Sequence, residues 1–368
     1  MNKVGNDYLN EFTESVGYMD FARVGPPSKS VVAATTSAVV LSAQAGPRTV
    51  DELMEAEARA VGAASRLSGF AEDHVTLIPN TSTGLFQIAF ALTGGDLLVH
   101  SQEFPANLYP WMRAEQAGLL KVQTLVSPGD RTTPSAIADS LTPTTSAVTV
   151  SAVDFTTGYR ADLAGIRSVI GDRLLIVDAI QGFGILDEAW EQHVDVLVVG
   201  GQKWLRAGWG MGFLALSDRA LNRLEPVLSG WTGAKDPTTY DGLIHPRESG
   251  AREFSLTNLS PVNQAAFAAA LELVETVTPR WIDQHIRTTV DILITGLEQA
   301  GALVYSPRRH NERGGIVTFS MPGMSIKSLS RALAAAGVSI TTHADHIRAS
   351  IHATTTQASI DLLLEALR

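Results

Sequence analysis

The chain contains no cysteine. Disulfides, thiolate metal sites and cysteine nucleophiles are thereby excluded within its 368 residues. Basic residues are in deficit, 28 Lys and Arg against 38 Asp and Glu, for a net charge of −10 with histidine neutral. That balance argues against general binding to nucleic acid or to an anionic membrane surface. Long apolar runs are missing as well. AVGAASRLSGF and QAAFAAALELV are both shorter than a bilayer span and are interrupted by polar residues. The opening MNKVGNDYLNEFTES has neither the apolar segment nor the small-residue cleavage site of a secretory signal, so a cytoplasmic location is expected. What is present, 45% apolar and 18% charged residues, is the make-up of an ordinary globular protein. The length calls for a large domain with a smaller companion.

From about residue 70 to 216, short apolar runs alternate with helical patterns. HVTLI, DLLVHS, LKVQTLV, SAVTVSAV, RLLIVDAI, VDVLVVGG and GMGFLAL are the strand candidates. Most are nearly continuous in Val, Ile, Leu and Ala without two-residue alternation, as expected when both faces of a sheet are covered. Helical stretches such as GLFQIAFAL and WMRAEQAG lie between them, which predicts right-handed crossovers and a mainly parallel sheet. After about residue 250 the texture changes. Two long helical patterns, SPVNQAAFAAALELVETV and RWIDQHIRTTVDILITGLEQAG, precede a strand in GGIVTFSMPG, a helix in SIKSLSRALAAAGV, two strands around a turn in SITTHADHIRASIH, and an amphipathic final helix. The expected organisation is a large α/β domain over residues 20–250 and a smaller α+β domain over 251–368 joined by residues 1–19.

Three features carry chemistry. Asp178 ends the buried run RLLIVDAIQ, at the carboxyl end of a strand, where open α/β sheets bind ligands. Lys203, in VVGGQKW, ends the next strand, a costly place to desolvate an ammonium. Asn80-Thr81-Ser82-Thr83-Gly84 falls between a strand and a helix, where backbone N–H groups and hydroxyls form an anion cup. Each alone has a plain explanation: a capping aspartate, a surface lysine, an N-cap cluster. Together they meet the needs of pyridoxal phosphate, which takes a phosphate cradle, a carboxylate beside its pyridine nitrogen and a lysine amine. Gly208-Trp209-Gly210-Met211-Gly212 reads as a glycine-rich turn, not a nucleotide loop. His343 and His346 lack a third clustered ligand, so no metal site is expected.

VDAIQGFG followed by VVGGQKW resembles the core of the class V aminotransferase family, fold type I of the pyridoxal phosphate enzymes. That family includes cysteine desulfurases, kynureninases, isopenicillin N epimerase-like proteins and transaminases of small amino acids. The resemblance runs from YMDFARVGPPS to RASIHATTTQASIDLLLEAL. It implies that Lys203 forms the Schiff base, that Asp178 pairs with the pyridinium nitrogen, and that Thr81 and Ser82 hold the phosphate. It further implies that Gln181 approaches the ring oxygen, that Asp154 or Thr156 in SAVDFTTGY approaches the cofactor, and that Gln202 lies beside the phosphate. EFPANLYPW and SGWTG are similar to kynureninase segments, which makes Phe104 the ring-stacking residue and Trp231 a phosphate contact. Arg348 in IRASIH matches the arginine that grips the substrate's α-carboxylate. A homodimer is implied.

Desulfurases carry a histidine in the segment occupied here by EFPANLYPW, and they pass sulfur to a loop cysteine ahead of the RAS motif. This chain has neither, so a cysteine desulfurase is not expected. The expected activity is that of an aminotransferase or β-elimination lyase acting at Cα or Cβ of a small L-amino acid. A kynureninase-like hydrolase and a non-catalytic binding or regulatory protein on the same scaffold are the alternatives. A dehydrogenase is disfavoured because HVTLIPNTSTG lacks a glycine fingerprint.

Overall fold

The structure, a computed structural model, describes residues 3–127 and 131–368, so the first two residues of the 1–19 segment lie outside it. Seven strands form the principal sheet: β1 (Val75–Ile78), β2 (Asp96–His100), β3 (Lys121–Leu125), β4 (Thr145–Ser151), β5 (Leu174–Asp178), β6 (Val196–Gly200) and β7 (Gly212–Leu216). Their order is β1-β7-β6-β5-β4-β2-β3. The pairs β2/β3, β2/β4, β4/β5 and β5/β6 are parallel, while β7 runs antiparallel to both β6 and β1. The sheet is thus mainly parallel with helices on both faces, as the unbroken apolar runs require. Every residue of β1, β5, β6 and β7 is buried.

On one face lies helix Thr81–Ala91, whose N-cap Asn80 accepts from Thr83 N–H at 2.9 Å. Gly84 lets this helix sit close. A Cβ there would come within 2.6 Å of Ile78 Cδ1 and 2.9 Å of Val198 Cγ1. The opposite face is covered by helices Thr49–Ser68 and Pro261–Val277, meeting through the small buried residues Ala60, Ala63, Ala64, Ala266, Ala268 and Ala270. Helix Lys29–Gln44 packs outside them. The sequence pattern did not yield the two helices between residues 29 and 68. KSVVAATTSAVVLSAQ is rich in β-branched residues and buries only Val31 and Ala38, so it shows no apolar stripe.

A second, antiparallel sheet has the order β10-β11-β9-β8, from β8 (Leu303–Val304), β9 (Ile316–Ser320), β10 (Thr341–Thr342) and β11 (Ile347–Ser350). The N-terminal segment threads beside it: Tyr18 bridges to Ser339 and Asp20 to Ser350. The two sheets meet where Trp204 packs under Gly315, at which a Cβ would lie 2.7 Å from the indole Cη2. That close approach brings β11 over the carboxyl ends of β5 and β6.

Candidate active site

β4 and β5 pair in register with Ser151 opposite Asp178, and β5 pairs with β6, so Asp178 and the turn after Gly200 share one rim of the sheet. The first turn of helix Thr81–Ala91 reaches the same rim from below, and Arg348 on β11 reaches it from above. Between them is a cavity of about 550 Å³. Its walls bear Thr81, Ser82, Phe104, Asp178, Gln181, Gln202, Lys203 and Arg348. Eight residues singled out in the sequence are therefore gathered around one space.

Burial dominates the electrostatics. It pulls the Lys203 ammonium down from its ordinary value to about 8, opposed by the attraction of Asp178 and helped by the repulsion of Arg348. Burial pushes the Asp178 carboxyl up to about 6, against an Ile180 N–H donated at 3.0 Å and the charge of Lys203. Near neutral pH the aspartate is mostly ionised, and a reactive fraction of the lysine is uncharged. The Lys203 Nζ stands 5.5 Å from the centroid of the Phe104 ring, which meets Phe155 edge-on at 5.2 Å.

Arg348 is 6% exposed, yet its guanidinium is only partly employed. It donates to Phe155 O at 3.0 Å and Thr341 Oγ1 at 3.1 Å, with Asp20 at 3.9 Å, and its buried Nε–H has no partner. Gln181 is largely committed to the wall, accepting from Trp204 Nε1 at 2.7 Å and donating to Ala22 O at 3.0 Å. One of its amide hydrogens stays available.

Asp154, Thr156 and Trp231 lie elsewhere. The Asp154 carboxylate accepts from the N–H groups of Thr156 and Thr157 and from the Thr157 hydroxyl, which commits it to shaping its own turn. The Thr156 carbonyl accepts from Thr318 Oγ1, and between these two residues it is Phe155 that lines the cavity. Trp231 opens a short 3₁₀ turn and borders a separate hollow with Tyr240 and Ile244. Among the described residues no cluster of three or more His, Asp or Glu is placed to hold a metal. His343 and His346 stack ring on ring at 4.4 Å.

Sequence reasoning passed over several residues at this site. Ala22, Arg23, Phe155, Trp209 and Gly210 also line the cavity. Glu103, beside Phe104, is buried with its carboxylate accepting from Ser151 N–H and Oγ–H, and burial and Asp178 push it up to about 7. All lie in segments quoted from the sequence, YMDFARVGPPS, EFPANLYPW, SAVDFTTGY and the glycine-rich turn, but which side chain of a segment faces the site is decided only by tertiary folding.

The protein-family model described as "Aminotransferase class-V" matches residues 49–363. The chain belongs to the class V aminotransferase family. Among curated relatives it is similar to a kynureninase of Deinococcus radiodurans, 28% identical over 269 residues that cover 70% of this chain and 64% of that enzyme. The chain spans 60–64% of the length of the curated relatives it matches. Among solved structures it is similar to a variant of C-DES with glycine covalently linked to the PLP cofactor, at a TM-score of 0.87, 21% identity and 96% coverage of both chains. It is equally similar to the apo cysteine desulfurase of Thermococcus onnurineus, at a TM-score of 0.87 and 19% identity, covering 99% of this chain and 97% of that one. The fold therefore does not support the expectation that set cysteine desulfurases aside, because solved desulfurases share it.

Class V aminotransferases are pyridoxal 5'-phosphate enzymes, and the residues present fit that cofactor. The Thr81 hydroxyl is buried without a hydrogen-bond partner at a helix N-terminus, where an anion would satisfy it. Gly200 keeps the floor open beside it: a Cβ there would lie 2.6 Å from Thr81 Oγ1 and 2.9 Å from Gln202 Oε1.

Proposed function

We propose that this pyridoxal 5'-phosphate enzyme is an aminotransferase or β-elimination lyase acting at Cα and Cβ of a small L-amino acid. The observation that carries the reading is the convergence of Lys203, Asp178 and the under-employed Arg348 on one cavity. Thr81, Ser82 and Gln202 are the residues that hold the phosphate. When bound, the cofactor supplies an electron sink for negative charge developing at the substrate's Cα. Asp178, an anion at neutral pH, keeps the pyridine nitrogen protonated. Lys203 Nζ is the amine that binds the cofactor and, once free, moves the proton to and from Cα. Arg348 binds the α-carboxylate and so orients which Cα bond is weakened. Phe104, whose ring stands 5.5 Å from Lys203 Nζ, would pack over the cofactor ring.

A kynureninase-like hydrolase is the second reading, favoured by the 28% identical relative and by the FPANLY and SGW segments. A purely binding protein on this scaffold is disfavoured, since it has no use for a buried amine held near 8. Sulfur transfer onto a cysteine of this chain is ruled out by composition, so a desulfurase reaction here would need an acceptor from outside it. The partner in this reading is a second copy of the chain, and the location is the cytoplasm. No helix among the described residues is long and apolar enough to cross a membrane.

The test is to add a panel of amino acids and L-kynurenine to the holoprotein while following its visible spectrum. Formation of pyridoxamine phosphate identifies a transaminase, pyruvate with ammonia a lyase, and alanine with an aromatic amine the hydrolase. A spectrum that no amino acid perturbs would sink all three.

A further inference from the structure

Arg206 follows Lys203 by one turn of chain and is the only charged residue between Lys203 and Gly212. Its backbone is left-handed at φ +61°, a conformation a side chain rarely tolerates, and its N–H closes a turn on Lys203 O at 3.1 Å. Its side chain is almost wholly buried, at 1% exposure for the residue. The guanidinium donates to Glu14 Oε2 at 2.5 Å, to Pro26 O at 2.5 Å and to Thr354 Oγ1 at 3.1 Å. It lies 3.7 Å over the Phe12 ring, with Phe21 at 5.2 Å. Thr354 in turn donates to the other Glu14 oxygen.

These partners come from two segments that bound the active site. The stretch from Glu14 to Pro26 contains Ala22 and Arg23, both in the cavity wall. It presses on the lysine turn from the other side. Gly25 N–H donates to Gln202 O at 2.8 Å, and a Cβ on Gly25 would lie 2.0 Å from Lys203 O. Thr354 follows β11, the strand that carries Arg348. A single guanidinium therefore joins the lysine turn, the N-terminal wall and the segment after the carboxylate-binding strand.

A flexible ammonium could not reproduce three directed contacts and a ring stack at once. If the role were only to turn the chain, glycine would serve better than a strained arginine. We propose that Arg206 is a positioning residue that fixes the backbone of Lys203 against the N-terminal wall, so that the placement of the amine depends on the docking of residues 14–26. The proposal rests on the reading of Lys203 as the cofactor-binding amine.

The test uses the full chain and pyridoxal 5'-phosphate as probe, with Arg206→Gly, Arg206→Lys and Thr354→Val compared with the parent. Cofactor affinity is read by absorbance titration well below each melting temperature, and hydrogen exchange is read over residues 14–26 and 200–206. Arg206→Gly relieves the left-handed backbone but removes the guanidinium. It is expected to weaken cofactor binding by about tenfold, equivalent to about 1.4 kcal/mol, and to raise exchange in both segments together. Arg206→Lys and Thr354→Val are expected to move both readouts in the same direction by less, and they decide the matter should Arg206→Gly fail to fold. A variant that only melts earlier, with parental affinity and parental exchange in the lysine turn, would overturn the proposal. Borohydride trapping of the parent's cofactor on another lysine would instead overturn the Lys203 reading itself.

Discussion

At the scale of single residues, the site depends on an amine that burial makes easier to deprotonate. Lys203 loses its proton near pH 8, where an exposed lysine keeps it until 10.5. Only the uncharged amine attacks an aldehyde, so capture of pyridoxal 5'-phosphate by the apoprotein should speed up as pH rises and level off above about 8. Stopped-flow absorbance measures this. A rate still climbing steeply between about pH 9 and 10 would mean that the amine is not desolvated. Folding is linked to the same proton: between about 8 and 10.5 the unfolded chain holds it and the folded chain does not, so this group's contribution to stability rises with pH across that window. The sequence made Asp178 and Thr81 legible because each ends or begins an element whose pattern is strong, and Lys203 because it lies in the turn just past the apolar strand that ends at Gly200. Glu103 and Arg206 were not legible, since their roles come from Ser151, Glu14 and Thr354, far away in the chain.

At the scale of elements, the cofactor cradle depends on how closely helix Thr81–Ala91 lies on the sheet. Gly84 permits that distance, with Ile78, Val198 and Leu214 all within 3.0 Å of where its Cβ would be. Gly84→Val should destabilise the fold by about 1–3 kcal/mol, read as a lower denaturant midpoint with an unchanged slope, and should weaken cofactor binding as the helix N-terminus shifts. An unchanged midpoint would show that the helix has slack. Strands such as β5, β6 and β7 were readable as apolar runs because they are covered on both faces, whereas β3, KVQTL at the sheet edge, is largely open to solvent and shows a weaker pattern. The reversal of β7 was not readable: GMGFLAL reads the same in either direction, and only its register with Val199 and Leu77 distinguishes them. Helix Lys29–Gln44 escaped for the opposite reason, because Val32, Val39 and Val40 are exposed and no stripe separates inside from outside.

At the scale of the whole molecule, the segment from Pro226 to Arg247 leaves apolar surface uncovered. Trp231, Tyr240, Leu243 and Ile244 are 47%, 87%, 75% and 102% exposed, more than an isolated soluble chain usually leaves in one place. The proposed homodimer would cover this segment, and it would give Trp231 a setting that a single chain does not. Sedimentation at micromolar concentration should give twice the monomer mass, and Ile244→Lys should lower it. A monomeric parent protein would contradict the dimer without touching the chemistry of the cavity. The likeness of EFPANLYPW and SGWTG to family segments singled out Phe104, which lines the cavity beside the lysine, and Trp231, which borders a separate hollow, because similarity of a segment does not fix where its side chains are directed.

In the proposed function Lys203 is the amine that binds pyridoxal 5'-phosphate. Reduction of the holoprotein with borohydride followed by peptide mapping tests it directly. The cofactor is predicted on the peptide containing Gln202-Lys203-Trp204, and Lys203→Ala is predicted to lose both the label and the visible absorbance. A label on any other lysine, or an undiminished spectrum in Lys203→Ala, would show that Lys203 is not the cofactor-binding amine.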